Sequence, residues 1–269
     1  MPNRAEKRDP GLLRVATFNC NSIRTRLDPV LAWLGAHTPD LLALQETKVV
    51  DELFPAAAFE AAGYHVAFRG MKAYNGVALL SRARPDEVRF GLDDGGPADE
   101  PRLLHARFGA LHVVNTYVPQ GRDIEHAMFG YKLAWYQRLG AYFRRHLKPD
   151  QPALWLGDLN VAAEPIDVYN PERRAGHVCY HEDVREAFAR GKDWGWHDVY
   201  RRHHPEPGRY SFFDYRTDFR SETPEGWRLD YILATAPLAA VSRDAWIDLH
   251  PRRGERPSDH TPVVADFAF

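Results

Sequence analysis

Apolar residues fall along this chain in short runs at Leu12–Phe18, Leu41–Leu44, Tyr64–Phe68, Gly76–Leu80, Leu103–Phe108, Leu111–Tyr117, Ala153–Leu156, Leu229–Ala234 and Pro262–Phe269. Runs of that length, rich in bulky apolar residues, predict buried strands. Between some of them the spacing is helical. Asp28 to His37 places Val30, Leu31 and Leu34 on one stripe, with Pro29 where a first helical turn tolerates it. Glu125 to Leu147 carries Met128, Tyr131, Leu133, Trp135, Tyr136, Leu139 and Phe143 at helical spacing, and Glu182–Ala189 and Trp196–His203 predict shorter helices. Many short strands with interspersed helices, and no strict βαβ alternation, predict a mixed α/β fold with more than one sheet.

The strand ends carry the chemistry. Ala153-Leu154-Trp155-Leu156 runs into Gly157-Asp158-Leu159-Asn160, where side chains two apart leave a strand on one face. The acid can take a proton while the amide donates hydrogen bonds; the same residues also suit an Asp/Asn turn. Similar ends recur: Asn19 and Asn21 after the first run, then Gln45, Glu46 and Lys48, then Tyr117, Pro119 and Gln120, then Asp230, and finally Ser258-Asp259-His260. One such end is a turn; their repetition predicts a shared site at one edge of the sheets. Carboxylates and amides with a single histidine and no cysteine favour a hard cation, Mg²⁺ or Mn²⁺, over zinc. An Asp–His pair can orient and charge an imidazole for work on a phosphate oxyanion. Gly-x-Ser-x-Gly and Walker-type glycine loops are absent, so metal-assisted hydrolysis of a phosphoester is the class that uses all of these parts.

Composition narrows the setting. The 269 residues, 44% hydrophobic and 12% aromatic, can bury a large core, and no low-complexity linker divides them, so residues 1–269 read as one domain. Residues 1–11 read as a flexible, charged segment without a signal-type apolar stretch, and 91–101 as a surface loop. A net charge of −2 means that any polyanion partner must meet a local basic face. The arginine clusters at 144–145, 173–174, 201–202 and 252–253 each read as solvated surface. Cys20 and Cys179 read as reduced core residues, no segment has the length of a membrane span, and a cytoplasmic protein is expected.

TFNCNSIR, LQETK, YNGVALLSR, NTYVPQG, GDLNVA, YSFFDYR…GWRLDYIL and PSDHTPV, in this order from Thr17 to Val263, resemble the exonuclease III class of abasic-site endonucleases, within the wider endonuclease/exonuclease/phosphatase superfamily. The WRLDY run and the YKLAW helix (Tyr131 to Trp135) favour the DNA-repair branch. The resemblance implies a four-layer α/β sandwich of two mixed β-sheets flanked by helices. It also implies that Glu46 ligates the metal with Asn19 and Asn21 near it. Asp158 would position or deprotonate the attacking water and Asn160 would hydrogen-bond the phosphate, both close to the ion. Tyr117 would donate to the phosphate or the leaving oxygen, and Asp230 would orient His260. Asp259 would complete the metal shell or protonate the leaving group.

Phe212, Trp227 and Leu229 fall where the family builds an apolar pocket for a flipped, baseless deoxyribose, a nucleotide cheap to extrude because its stacking is already lost. Trp227 is read as an exposed-loop tryptophan, Leu229 equally as core. DNA backbone contacts would come from Arg24, Lys48, Lys72, Tyr74, Asn75, Arg102 and Arg122, with Arg216 beside them. Arg122 follows Gln120-Gly121, where relatives often have Asn-Gly. The implied activity is Mg²⁺-dependent incision 5′ to an abasic site in double-stranded DNA, with 3′–5′ exonuclease or 3′-end trimming, by a monomer. Two rival readings are a superfamily phosphatase acting on lipid or inositol headgroups and a DNA-binding module without catalysis. Neither a secretion signal nor an apolar hairpin supports the first. Glu46, Asp158 and His260 are all present, against the second.

Overall fold

The computed structural model describes residues 11–96, 100–219, 221–222 and 224–269. The expected flexible segment at 1–11 lies outside the described residues apart from Gly11, and the expected loop at 91–101 does so in part. The strands are β1 (Leu13–Asn19), β2 (Leu41–Gln45), β3 (His65–Arg69), β4 (Val77–Ser81), β5 (Glu87–Phe90), β6 (Leu103–Phe108), β7 (Leu111–Tyr117), β8 (Ala153–Asp158), β9 (Trp196–Asp198), β10 (Asp230–Thr235), β11 (Ser242–Ile247) and β12 (Val263–Phe267). The helices are α1 (Ile23–His37), α2 (Ala56–Ala61), α3 (Ala127–His146), α4 (Glu182–Lys192), α5 (Val199–His203) and α6 (Ala236–Ala239). Two six-stranded mixed sheets result, ordered β11-β12-β1-β2-β4-β3 and β5-β6-β7-β8-β10-β9.

Alternation along each strand explains the layering. Val15, Leu41, Ala43, Val77 and Leu79 of one sheet meet Val113, Leu154, Leu156 and Ile232 of the other in a shared core. Their neighbours point outward: Ala16, Phe18, Leu42 and Leu44 pack with Val30, Trp33 and Leu34 of α1. On the opposite outer face Trp155 packs with Phe143 of α3 at 5.0 Å and Phe188 of α4 at 5.8 Å between ring centroids. Burying one such side chain contributes about 1.5–3 kcal/mol, so both faces of each sheet must be covered. The expected four-layer sandwich is the observed one.

Register then gathers the strand ends. β1 runs parallel to β2, pairing Asn19 with Gln45, and β7 parallel to β8, pairing Tyr117 with Asp158. β10 is antiparallel to β8, which sets its first residue, Asp230, opposite Asp158. β12 is antiparallel to β1, which brings the preceding Asp259-His260 to the same edge. Gly157 permits this closeness: at φ +133° it has no Cβ, and one would lie 2.0 Å from the Thr116 carbonyl of β7.

Candidate active site

Asp158 is the hub. Its Oδ2 accepts from Asn19 Nδ2 at 2.9 Å, across the gap between the sheets, and lies 3.6 Å from His260 Nε2. Its Oδ1 accepts from the backbone N–H of Asn160 at 2.9 Å. The strand ends at Asp158, and Asn160 takes a left-handed conformation at φ +50°, so the two side chains are not strand neighbours on one face. The Asp/Asn turn and the site are one structure, since the turn carries Asn160 round the acid. Burial pushes the Asp158 carboxyl up to about 7; Asp230 and Glu46 add to the rise, while His260 and Asn19 oppose it.

His260 is held from behind. Its Nδ1 pairs with Asp230 Oδ2 at 2.8 Å. Burial alone would lower its pKa, but Asp230 and Asp158 outweigh burial and raise it to about 10, so the ring is an imidazolium. Tyr117, at the end of β7, carries a phenol raised well above its ordinary value by burial and by Glu46 and Asp158. It is a proton donor at neutral pH.

Glu46 faces the same space from β2. Asn19 Nδ2 donates to its Oε1 at 2.9 Å, Lys48 Nζ lies 2.7 Å from its Oε2, and Lys48 Nζ also donates to Asn21 Oδ1 at 2.6 Å. Asn21 Nδ2 reaches Asp259 Oδ1 at 2.9 Å. Burial raises the Glu46 pKa, but Lys48 and Asn19 hold it below its ordinary value. These oxygens already hold a cation, the Lys48 ammonium, and they are the hard donors that suit a divalent ion. Asp158, Asp230 and His260 also have ligand atoms within 4.8 Å of one another and form a buried group that could hold a metal. Asp230 and His260 are committed to each other, however, which leaves Asp158 on that side as the oxygen facing Glu46.

A cleft of about 950 Å³ opens over these groups, lined by Glu46, Tyr117, Asp158, Asn160, Asp259 and His260 together with Phe212, Trp227 and Leu229. Phe212 bridges to both Trp227 and His260, its ring 4.9 Å from the imidazole. Trp227 is not an exposed-loop residue: it is 8% exposed and packs on His177 at 4.4 Å, so it serves as core and as cleft wall together. Leu229 is likewise both. Behind the wall, Arg228 is buried between Asp167 (2.7 Å) and Asp198 (2.7 Å). Removing one partner strands a buried charge, so Arg228→Leu is expected to cost about 3–5 kcal/mol of stability, read from its denaturation midpoint.

The expected DNA contacts divide. Arg24, Lys72, Tyr74 and Arg122 are exposed, Tyr74 at 68%. Arg216 stands at the cleft mouth, paired with Asp214 at 2.9 Å. Lys48 turns inward to Glu46. Arg102 is buried, its guanidinium over the Tyr117 ring at 4.9 Å and bonded to Glu100 at 2.7 Å. Asn75 is buried too, its Nδ2 reaching Met71 Sδ at 3.2 Å. Arg102 and Asn75 are thus buried and bonded within the protein, unlike the exposed Arg24, Lys72, Tyr74 and Arg122.

Sequence reasoning missed several supports. Ser258 Oγ donates to Asn19 O at 2.8 Å and accepts from His260 N–H at 3.2 Å. Ser211 Oγ accepts from the N–H groups of Leu229 and Asp230, both at 3.1 Å. Arg26 ties Asn21 O to Pro257 O and Tyr215 Oη. The signals for Ser258 and Ser211 lay inside the PSDH and YSFFDYR motifs; Arg26 carried none, because Pro257 and Tyr215 are distant in sequence.

Two mixed sheets packed face to face, with carboxylates, amides, a buried phenol and an Asp–His pair converging at one edge, define a hydrolase of the sandwich-nuclease class. The chain belongs to the Endonuclease/Exonuclease/phosphatase family, which it matches over residues 16–260. It is similar to an AP endonuclease structure from Archaeoglobus fulgidus, with 48% identity and a TM-score of 0.92 over 95% of this chain and 99% of that one. It is similar also to the 3′ phosphatase NExo from Neisseria bound to a product DNA hairpin, with 36% identity and a TM-score of 0.91 over 95% and 99% of the two chains. Exodeoxyribonuclease III of Haemophilus influenzae is 34% identical over 267 residues, covering 95% of this chain and 100% of its own.

Proposed function

We propose that this chain is a DNA-repair phosphodiesterase that hydrolyses the backbone 5′ to abasic sites and trims blocked or intact 3′ ends. The observation that carries this reading is the apolar wall of Phe212, Trp227 and Leu229 in the same cleft as Asp158 and His260. A wall of that kind suits a deoxyribose without its base, and the similarity to an AP endonuclease and to a DNA-bound 3′ phosphatase agrees with it. The substrate is double-stranded DNA, met by Arg24, Lys72, Tyr74, Arg122 and Arg216. The enzyme acts as a monomer, one domain over residues 1–269, in the cytoplasm. Among the described residues no helix is long and apolar enough to cross a membrane.

A hard divalent ion, Mg²⁺ with Mn²⁺ as substitute, would be held by Glu46 with Asn19, Asn21, Asp158, Asn160 and Asp259. When bound it neutralises charge on the phosphate and on the leaving oxygen. The chain's residues do the rest. Asp158 takes the proton of the attacking water, whose oxygen bonds to phosphorus as the bond to the 3′ oxygen breaks. The Asn160 carboxamide, one N–H of which donates to Val118 O at 2.9 Å, gives its other N–H to the phosphate together with the Tyr117 phenol, and the imidazolium of His260, oriented by Asp230, faces the charge that builds there. The leaving oxygen takes a proton, from Asp259 or Tyr117, and departs as a 3′-hydroxyl.

Purified protein with Mg²⁺ is expected to nick a duplex containing one tetrahydrofuran site, and EDTA is expected to stop it. An intact duplex beside hydrolysis of an inositol phosphate would overturn the assignment. Phe212→Ala and Trp227→Ala are each expected to narrow the preference for abasic over normal duplex by about tenfold, in keeping with the 1–3 kcal/mol that one apolar contact discriminates. Unchanged selectivity in both, measured as kcat/KM ratios, would remove the wall from substrate recognition.

A further inference from the structure

Beyond Asp158 the backbone turns through Leu159, Asn160 and Val161, and each of these carbonyls is captured by a buried side chain. Leu159 O accepts from Tyr136 Oη, Asn160 O from Lys132 Nζ at 2.7 Å, and Val161 O from Tyr231 Oη at 2.8 Å. Lys132 and Tyr136 stand four residues apart on α3 and so face the turn together. Lys132 is fully buried and donates to two more carbonyls, Gln120 O at 3.1 Å and Val178 O at 2.9 Å. Its three partners lie on three segments: the loop that follows Tyr117, the turn that carries Asn160, and the stretch between the cleft residues His177 and Cys179.

A buried ammonium is tolerated only when its donors are used, and here all three are. A methionine would fill much the same volume without that desolvation, so packing alone does not require lysine at this position. What the lysine adds is a tie between loops. The left-handed backbone of Asn160 is one that asparagine tolerates, so the turn forms readily by itself, and what the tie adds is its placement against the two neighbouring loops.

We propose that Lys132 is a positioning residue of the hydrolytic site, its ammonium drawing the three segments together and fixing Asn160 so that the carboxamide faces the substrate phosphate. This rests on the phosphodiesterase reading above. Lys132 itself touches no substrate.

A double-mutant cycle between Lys132→Met and Asn160→Ala tests the idea, with incision of a tetrahydrofuran duplex followed under single turnover. Lys132→Met alone is expected to lower kcat about ten- to a hundredfold with KM nearly unchanged, the scale of a small misplacement at a reacting centre. In the Asn160→Ala background the same substitution is expected to cost less than about twofold, since the group it positions is gone. Equal costs in both backgrounds would make Lys132 merely structural and overturn the proposal. Should Lys132→Met fail to fold, Lys132→Gln, which keeps an N–H donor, carries the same cycle. Hydrogen exchange supplies a readout independent of substrate: amides of residues 159–163 are expected to exchange faster in the variant while those of β1 and β2 do not, and unchanged exchange there would also overturn the proposal. If wild-type protein cuts no DNA at all, the phosphodiesterase reading falls, while the exchange result still decides whether Lys132 holds the turn.

Discussion

Asp158→Asn is expected to lower the rate of incision toward the upper end of the roughly 10²–10⁴-fold range that a positioned general base supplies. The side chain keeps its shape and can still accept from the Asn160 N–H, so the turn survives. What disappears is a buried carboxylate at the end of β8 that reaches across to the other sheet, to Asn19 of β1 and to His260 just before β12. DNA affinity is expected to hold or to tighten, because one negative charge leaves a cluster that faces a polyanion. The pH profile gives a second check. The base must be ionised, and burial raises its pKa to about 7, so the wild-type rate should rise with pH toward neutrality. A divalent cation favours the carboxylate and should move that limb to lower pH. In Asp158→Asn the limb should be lost. Single-turnover rates and filter-binding affinities, measured between about pH 5 and 8, decide the matter; parallel loss of rate and affinity would point to misfolding.

Asp230→Asn is expected to cost about 10²–10³-fold in kcat, the scale of removing one preorganised electrostatic contact, with KM little changed. Asp230 does not reach into the cleft; it accepts from His260 Nδ1 at 2.8 Å, and its negative charge is the largest of the effects that lift the imidazole above its ordinary value. An asparagine keeps the size and loses the charge. His260 works as the cation, so activity is present below its pKa and lost as pH rises through it. In wild-type protein that loss lies near pH 10, and in Asp230→Asn it should move toward neutrality. An alkaline limb that stays in place would separate Asp230 from His260 and leave the aspartate a fold-supporting role.

How much of this was legible in the sequence depended on burial. β1, β2, β7 and β8 are covered on both faces, read as continuous apolar runs, and ended within two residues of their predicted bounds. Glu87–Phe90 and Ser242–Ile247 went unread because edge strands are half-exposed and carry charge. Trp196–His203 read as one helix, but its first three residues pair with β10 and only Val199–His203 is helical, since a free sheet edge outweighs local spacing. α1 begins at Ile23, five residues before the predicted start, and Pro29 sits inside it just past a kink at Arg26.

The site residues were legible because strand ends announce themselves by a change from apolar to polar. Their supports were not. The Lys132 ammonium binds carbonyls, which have no sequence signature, and its place in YKLAW, on the apolar stripe of α3, does not show which segments it joins. Arg102 looked like a surface contact because nothing in its neighbourhood shows that Tyr117 lies beneath its guanidinium. Trp227 looked exposed because the bridges to Val168 and Phe212 that bury it join residues far apart in the chain.

The most direct measurement is the chemistry of the cut ends. A duplex labelled 5′ to a single tetrahydrofuran site, incubated with the protein and Mg²⁺, should yield one labelled fragment that ends in a 3′-hydroxyl immediately before the site and is extended by a polymerase without further processing. A fragment that ends 3′ to the site, or one blocked to extension, would contradict attack at the phosphate beside the apolar wall and with it the roles given to Asp158 and His260.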